Sequence, residues 1–545
     1  MAGIFLIALV LRALHFREVA LHDPYYTLPT IDDLQYDAWA RRLVAGDGLF
    51  DGVLYLGPGY SFFMAGVYWL FGASLPAVKA VQTVVGAVNA VLIFGITREV
   101  FDRRAAVIAG LFTAFHAMLV FYGATIMTVN PTVPLVLGLV WLLMRTFRRP
   151  GFAGFAASGA LLGLAVIVQQ TILPLLLLVL LWILFGMQGD ASPRRRTGFA
   201  AVFAIASFAF ILPITVHNAV VGRDFVLVNS MGGPNFYMGN QHEADGTWQV
   251  PDLGWRVRAD NPDEMQRQFK AAAERATGHP MKPSQISSYW LAKGVEEIRA
   301  DPMRWIALEV RKLALHFNAY EVWTIRSFEL SRETSWVLRL PLVTMGFVAP
   351  LGLLGILLSL SRWRELVVLY GVVLVYLAGS LLFFVLARYR LPGVLMLLPF
   401  AGFAIVRIAD ELRTRDWVWL AGWGAVLGVL IGLVHLDLES SDGRMHMAYY
   451  NLANKYRELE RFDEAIDAYQ KSLVLVPGAV STHNNLALAY ELGGRKPEAI
   501  REWKRVREMG LRQHDPLRVG RADRHLQSLE SGEPEAPPRA APPEP

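Results

Sequence analysis

Two neighbouring carboxylates and two guanidinium groups are the residue types in this chain best suited to group transfer. The string TLPTIDDLQYDAWARRLVAGDG places Asp32 and Asp33 just ahead of a helix-like stretch from about 34 to 45. Carboxylates there have two readings, and the pair can divide them. Asp accepts hydrogen bonds from the first unpaired N–H groups of a helix, and a carboxylate within hydrogen-bond reach of a hydroxyl acts as a general base. Further along, ARYRLP (387–392) sets Arg388 and Arg390 on either side of Tyr389. A guanidinium fork matches phosphate oxygens, while Arg and Tyr also serve as anchors at headgroup depth. In GGPNFYMGNQHEADG (232–246), Asn235, Tyr237 and Asn240 are candidates to line a polar ligand site, although a Gly-rich turn accounts equally well for Gly232, Gly233 and Gly239. His242, Glu243 and Asp245 sit too close together to specify a metal, so neither a metal nor another cofactor is indicated. The absence of cysteine excludes disulfides, thiol nucleophiles and Cys-ligated zinc or iron–sulfur sites.

The elements that must position these groups are apolar. Of 545 residues, 54% are hydrophobic and 18% charged, and mean hydropathy is +0.36. Soluble domains carry about 25% charge, so a wholly water-soluble enzyme is excluded. Fifty-two Lys and Arg against 47 Asp and Glu give +5, which implies no basic face for nucleic acid. A spanning helix needs about 20 apolar residues. The uncharged stretches 105–144 and 151–189 each read as two helices, broken at Tyr122 to Pro131 and at Gln169, Gln170 and Pro174. Further spans are expected at about 3–18, 76–97, 197–217, 338–361, 366–387, 391–409 and 416–435. The expected architecture is therefore all-α, a polytopic bundle of about eleven spans. The first span, interrupted by Arg12 and His15, reads as an anchor rather than a removable signal peptide.

Basic turns orient such a bundle, because short cytoplasmic loops are enriched in Lys and Arg. Arg98/Arg103/Arg104, Arg145/Arg148/Arg149, Arg194/Arg195/Arg196, Arg362/Arg364 and Arg413/Arg415 fall at every second turn. That alternation predicts outer-face loops at 19–75 and 218–337, with residues after about 436 also outside. The short apolar segment 57–72, opened by Gly-Pro-Gly, is read as interfacial. In the first loop Tyr36, Trp39, Ala40, Leu43 and Val44 form one apolar stripe. That helix should lie flat on the membrane, with Asp32 and Asp33 at headgroup level.

From about 446 the chain turns polar and repeats itself with a period of 34. Asn451, Leu452, Ala453, Tyr456, Glu464, Ala465 and Ile466 recur as Asn485, Leu486, Ala487, Tyr490, Glu498, Ala499 and Ile500. This is the tetratricopeptide pattern of paired antiparallel helices, and it reads as a docking surface for a protein or glycan, with a solubilising cap as the alternative. The expected divisions are 1–435 for the membrane domain, 436–445 for a linker, 446–530 for the repeats with a capping helix, and 531–545 for a disordered Pro/Glu-rich tail.

The chain resembles the GT-C class of integral-membrane glycosyltransferases, in particular the protein O-mannosyltransferase and aminoarabinose transferase-like group (families 39 and 83). The resemblance rests on Asp32 followed by Tyr36 and Ala40, the segment Pro58 to Phe63, the outer-loop string 232–246, ARYRLP, and the alternation of helices with basic turns. It covers roughly residues 1–435. It implies an integral cytoplasmic (inner) membrane enzyme that transfers a sugar, with inversion, from a polyprenyl-phosphate donor to a hydroxyl of a protein, lipid or glycan acceptor on the outer face. Asp32 would be the catalytic carboxylate, with Asp33 second choice and Tyr36 beside the substrate. Arg388 and Arg390 would neutralise the departing phosphate. In Met303 to Tyr320, which carries Arg311, Lys312 is a weaker phosphate candidate, and the following Glu321 is a polar site residue; an ordinary surface helix is the alternative. Several aminoarabinose-transferase relatives carry Lys before the Pro of the interfacial segment where this chain has Gly57, which argues against aminoarabinose transfer to lipid A.

Two other functions compete. A flippase or transporter of lipid-linked glycans should carry ionisable residues inside its spans, and the clear spans have almost none, His116 being a solitary exception. A membrane-anchored scaffold working through its repeats predicts that Asp32 is dispensable.

Overall fold

A computed structural model describes residues 1–29, 31–48, 50–187, 192–253, 262–439 and 441–531. The expected tail lies, from 532 onward, outside these residues. The chain divides into two compact units, Met1–Leu438 and Glu439–Pro545. The described residues of both are helical, with an isolated β-bridge between His116 and Val343.

The first unit opens with α1 (Ala2–His22), α2 (Asp32–Ala45), α3 (Gly59–Phe71), α4 (Leu75–Val100), α5 (Arg103–Ala114), α6 (Ala117–Gly123), α7 (Val129–Arg148) and α8 (Phe152–Val168). A 3-10 turn at Gln170–Ile172 leads to α9 (Pro174–Leu181), and α10 (Pro193–Val220) follows. Five short helices come next: α11 (Gly232–Asn240), α12 (Pro262–Thr277), α13 (Pro283–Ala300), α14 (Pro302–Phe317) and α15 (Phe328–Thr334). The unit ends with α16 (Met345–Ser359), α17 (Trp363–Leu382), α18 (Ala387–Val394), α19 (Leu397–Thr414) and α20 (Trp417–Val434).

The expectation of about eleven spans is corrected by these lengths. Among the described residues five helical stretches are long and apolar enough to cross a membrane: α4, α7, α10, Met345–Leu382 and α20. Six result if α18 and α19, bent by 52° to one another, count as one broken span. The apolar run 105–144 holds only one span because α5 has 12 residues and α6 has 7. At about 1.5 Å per residue these fall well short of a core of about 30 Å. In 151–189, α8 stops after 17 residues and α9 has 8. The expected spans at 338–361 and 366–387 form one apolar helical stretch of 38 residues with a 3-10 turn at Leu360–Arg362. Helix α1 carries Arg12, Arg17 and Glu18, too many charges for a plain span. The spans are also less free of charge than expected, since Lys79 is buried in α4.

Close packing holds the bundle. Gly159 and Gly163 of α8 are set four residues apart, and a Cβ on either would come within 2.3 Å of Phe203 O or Ser207 O of α10. Small residues at this spacing let two membrane helices meet backbone to backbone. The basic turns gather at one end. Arg104 pairs with Asp410 at 2.7 Å, Arg145 with Glu99 at 3.2 Å, and Arg362 Nη2 donates to Val100 O at 2.7 Å. Lys79 lies near the opposite end of α4, 21 residues from Val100 and so about 30 Å away along the helix.

The second unit contains α21 (Ser441–Glu458), α22 (Phe462–Leu475), α23 (Val480–Leu492), α24 (Lys496–Arg512) and α25 (Pro516–Ser531). The period of 34 is a packing period. Ala453 and Ala487 are fully buried, as are Ala465 and Ala499, and Tyr469 and Trp503 fill matching interior positions. Asn485 donates to Asn454 Oδ1 at 2.8 Å and to Tyr450 OH at 3.0 Å, tying one repeat to the next.

Candidate active site

Helix α2 begins at Asp32, so Asp32 and Asp33 occupy its first turn, where a carboxylate is favoured by the helix dipole. The capping position itself is Ile31, which makes no side-chain cap. Ile31 stands at φ 46°, ψ −112°, a backbone conformation that a β-branched residue rarely adopts and that costs on the order of 1–3 kcal/mol. The strained residue immediately precedes Asp32. Asp33 is buried, whereas the Asp32 side chain retains 22% exposure.

Arg388 comes from the start of α18 and reaches Asp32. Its Nη1 donates to Asp32 Oδ2 at 3.3 Å and its Nη2 to Tyr389 OH at 3.4 Å. The guanidinium carbon stands 4.9 Å from the Tyr389 ring centroid, a cation–π distance. Nε of Arg388 is buried with no partner among the described residues. Tyr36, one turn beyond Asp32, packs edge-on against Tyr60 at 5.1 Å between centroids. Burial first, then the nearby Asp32 carboxylate, pushes the Tyr36 phenol well above its ordinary range, so it stays a neutral hydrogen-bond donor. Thus Asp32, Tyr36 and Arg388 form one cluster.

The other predicted residues occupy different places. Arg390 is 1% exposed, and its Nη1 donates to Leu315 O at 2.6 Å and His316 O at 2.9 Å. Its Nη2 donates to Tyr320 O and to Glu321 Oε2, both at 2.9 Å. These four bonds use every N–H on the two terminal nitrogens. Arg390 and Glu321 therefore clamp the turn after α14 to α18, instead of presenting an open face to a phosphate. Lys312 is likewise consumed. Its ammonium, fully buried, donates to Asn240 Oδ1 at 3.1 Å, Glu309 Oε1 at 2.8 Å and Leu381 O at 2.8 Å. Burial lowers the Lys312 pKa from its ordinary value, and burial raises that of Glu309. Asn240 completes the knot through Nδ2 bonds to Phe236 O and Leu382 O, each 2.9 Å. Tyr237 packs against Trp290, ring centroids 4.8 Å apart and planes tilted by 46°, in an apolar cluster that also includes Tyr389. Asn235 is half-buried on the same short helix.

Behind Asp33 lies a group of charges missed in the sequence. Lys79 donates to Tyr25 O at 2.9 Å and Tyr26 O at 2.8 Å. Nearby, Asp23 pairs with Arg326, whose guanidinium lies 4.3 Å from the Tyr25 ring. One lysine near the start of an apolar run reads as a snorkelling end residue, and only the fold brings Asp23 and Arg326 to it. Tyr60 OH donates to Gln82 Oε1 at 2.5 Å and Gln82 Nε2 to Thr125 O at 2.9 Å, fixing α3 to α4 beneath Tyr36. Gly57 also acquires a physical reason. A Cβ there would meet Val168 O at 2.8 Å and Ile167 O at 2.9 Å, so the end of α8 leaves no room for a lysine stem.

Comparison with known proteins gives two sequence matches. Residues 56–217 match the family model described as Dolichyl-phosphate-mannose-protein mannosyltransferase, and residues 446–478 match the tetratricopeptide repeat. None of the curated proteins matches this chain. Among solved structures, the apo oligosaccharyltransferase of Archaeoglobus fulgidus is similar at 14% identity and a TM-score of 0.45, over 85% of this chain and 59% of that one. The same protein with Zn and sulfate gives 16% identity and a TM-score of 0.43, over 85% and 56%. ArnT from Cupriavidus metallidurans bound to undecaprenyl phosphate gives 15% identity and a TM-score of 0.35, over 75% and 79%. The chain thus spans a little over half the length of the archaeal oligosaccharyltransferase. It combines a multi-helix membrane unit, of which residues 56–217 match the mannosyltransferase model, with a tetratricopeptide module.

Proposed function

We propose that this chain is an inverting membrane glycosyltransferase that moves a sugar from a polyprenyl-phosphate donor to a hydroxyl of a protein, lipid or glycan acceptor. The observation that carries this reading is the Asp32–Arg388 contact, which unites a carboxylate and a guanidinium at 3.3 Å. A donor phosphate on Arg388 takes the guanidinium from Asp32 and leaves the carboxylate to face the acceptor. The acceptor O–H proton then passes to Asp32 as its oxygen bonds to the anomeric carbon. The bond from that carbon to the phosphate oxygen breaks, and its electron pair leaves with the lipid phosphate, stabilised by Arg388. Tyr36 hydrogen-bonds substrate from its neutral phenol, and Asn235 and Tyr237 line the sugar site. Asp33 remains the second candidate for the base. Arg390 with Glu321, and Lys312 with Asn240, are positioning residues.

The match of residues 56–217 to a mannosyltransferase model supports the reaction class. Orientation follows from charge, because the gathered basic turns favour the cytoplasm. The opposite end of α4, where Lys79 and the site lie, is then outside, and so are the repeats, which we assign to residues 446–530 after a linker at 436–445 and to the binding of a protein partner. The test is Asp32→Asn in the full chain, checked for normal membrane levels, with polyprenyl-phosphate sugars and glycosylated products compared by mass spectrometry. Accumulated donor and lost product are expected. Unchanged product overturns the assignment, and unchanged glycans even in a deletion strain favour a scaffold.

A further inference from the structure

Helix α14 is turned inside out for a water-facing helix. Met303, Ile306, Val310 and Leu313 follow one another at i, i+3, i+7 and i+10, and are 73%, 48%, 62% and 43% exposed. Pro302 and Ala307 share that open side, so every exposed residue within the helix is apolar. The charged residues point the other way. Arg304 donates to the carbonyls of Asn240, Gln241 and His242, each at 3.1 Å, Arg311 to Asp245 O at 2.7 Å, and Lys312 to Asn240, Glu309 and Leu381. A solvated helix hides its apolar stripe and shows its charges. This one buries its charges on polar partners and shows its stripe, a continuous apolar patch that water does not favour.

The neighbours of α14 say what covers it. Arg304, Trp305 and Lys312 all bond Asn240, and Asn240 in turn bonds Leu382 O at the end of spanning helix α17. Just past α14, Ala319 N donates to Val434 O at the end of spanning helix α20. Almost none of α20 is buried within the chain, so its surroundings in the membrane are lipid. The middle of α14 is therefore held at the level where two spans end, alongside a lipid-facing helix. At 16 residues, or about 24 Å, it is too short for an ordinary span.

We infer that α14 lies in the membrane interface, with the Met303–Ile306–Val310–Leu313 face inserted among the acyl chains of one leaflet, its inward charges holding α11 and the end of α17, and the carbonyls of its last turn holding Arg390 of α18. The occupant of the exposed stripe is lipid. This sets the depth of the Asp32–Arg388 cluster through the Arg390 clamp, but it stands whether or not the chain transfers a sugar.

The chain contains no cysteine, which makes site-specific labelling direct. Ile306→Cys and Val310→Cys are each labelled with a small fluorophore in the full chain and reconstituted into phosphatidylcholine vesicles with or without brominated acyl chains. Val474→Cys, at a position 80% exposed in the polar second unit, is the aqueous control. Emission from 306 and 310 should fall with brominated lipid and resist aqueous iodide, and the control should do the reverse. Iodide quenching of 306 and 310 with no effect of brominated lipid overturns the inference. So does insensitivity to both, accompanied by energy transfer between labelled copies that grows with protein-to-lipid ratio, since a second copy would then cover the stripe. Two labelled positions and a size-exclusion profile matching the unlabelled chain separate a misfolded variant from a negative result. No readout depends on substrate, so failure here and failure of the proposed activity are distinguishable.

Discussion

Asp32 and Arg388 are 356 positions apart in the chain and meet at 3.3 Å between Oδ2 and Nη1. Each supplies what the other lacks until a third charged group arrives, and a phosphate is the group that competes for a guanidinium. Replacing Arg388 by Ala should lower kcat/KM for a polyprenyl-phosphate sugar by about 10²–10³-fold, the usual cost of removing one donor to a developing charge. Arg388→Lys keeps the charge without the fork, so it should recover only part of that loss. Initial rates in detergent micelles over a range of donor concentrations measure both. Equal rates for wild type and Arg388→Ala would remove this residue from the reaction.

The two arginines of ARYRLP should separate in kind. Arg390 is enclosed by three carbonyls and Glu321. Its loss strands Glu321 and three backbone acceptors in a buried place. Arg390→Ala should therefore cost about 3–5 kcal/mol of stability, seen as a large drop in thermal unfolding midpoint in detergent. Arg388→Ala should leave the midpoint close to wild type, because among the described residues its guanidinium makes two long hydrogen bonds and a cation–π contact with the adjacent Tyr389, and leaves Nε unpartnered. A similar drop for both would refute this division of roles.

The sequence displayed the candidate residue types and misjudged several of their environments. Asp32, Tyr36 and Arg388 were legible as candidates because an acid pair before an apolar stripe and a basic aromatic turn are local patterns; that they lie together was not. Arg390, Lys312 and Asn240 were legible as polar groups, but not as buried ones whose bonds are already spent, since burial depends on which helix lies opposite. Span counting failed for a related reason. Apolar totals in 105–144 and 151–189 record that the residues avoid water, while α5, α6, α8 and α9 are too short to cross. Lys79 was hidden by the averaging that made α4 a span. The repeats were the easiest to see, because their identities at a spacing of 34 lie in successive helix pairs that pack on one another.

Gly57 offers a steric test of the local frame around α3. Its place against Ile167 O and Val168 O admits no Cβ without movement of backbone. Gly57→Ala should cost about 1–3 kcal/mol, and Gly57→Lys should cost at least as much, lowering the unfolding midpoint without adding affinity for a polyprenyl phosphate. Tighter binding by Gly57→Lys would mean that the segment can move away from α8 and that the donor site lacks only this residue.

Acid sensitivity should trace in part to His316. Its Nδ1 lies 2.9 Å from Ser380 Oγ, and burial depresses its pKa from 6.5 to about 3. The unfolded chain therefore takes up this proton as pH falls through about 6.5 while the folded chain does not, so folded stability is complete above that value and declines as pH drops toward about 3. Each pH unit below the ordinary histidine value costs about 1.4 kcal/mol, which makes the expected loss about 2 kcal/mol at about pH 5. His316→Gln keeps a polar partner for Ser380 and has no proton to gain. Its unfolding midpoint should start below wild type at neutral pH and fall less steeply on acidification, so that the two curves converge. Parallel curves would show that the imidazole is already protonated in the fold, or that Ser380 and the backbone around it open before the proton arrives.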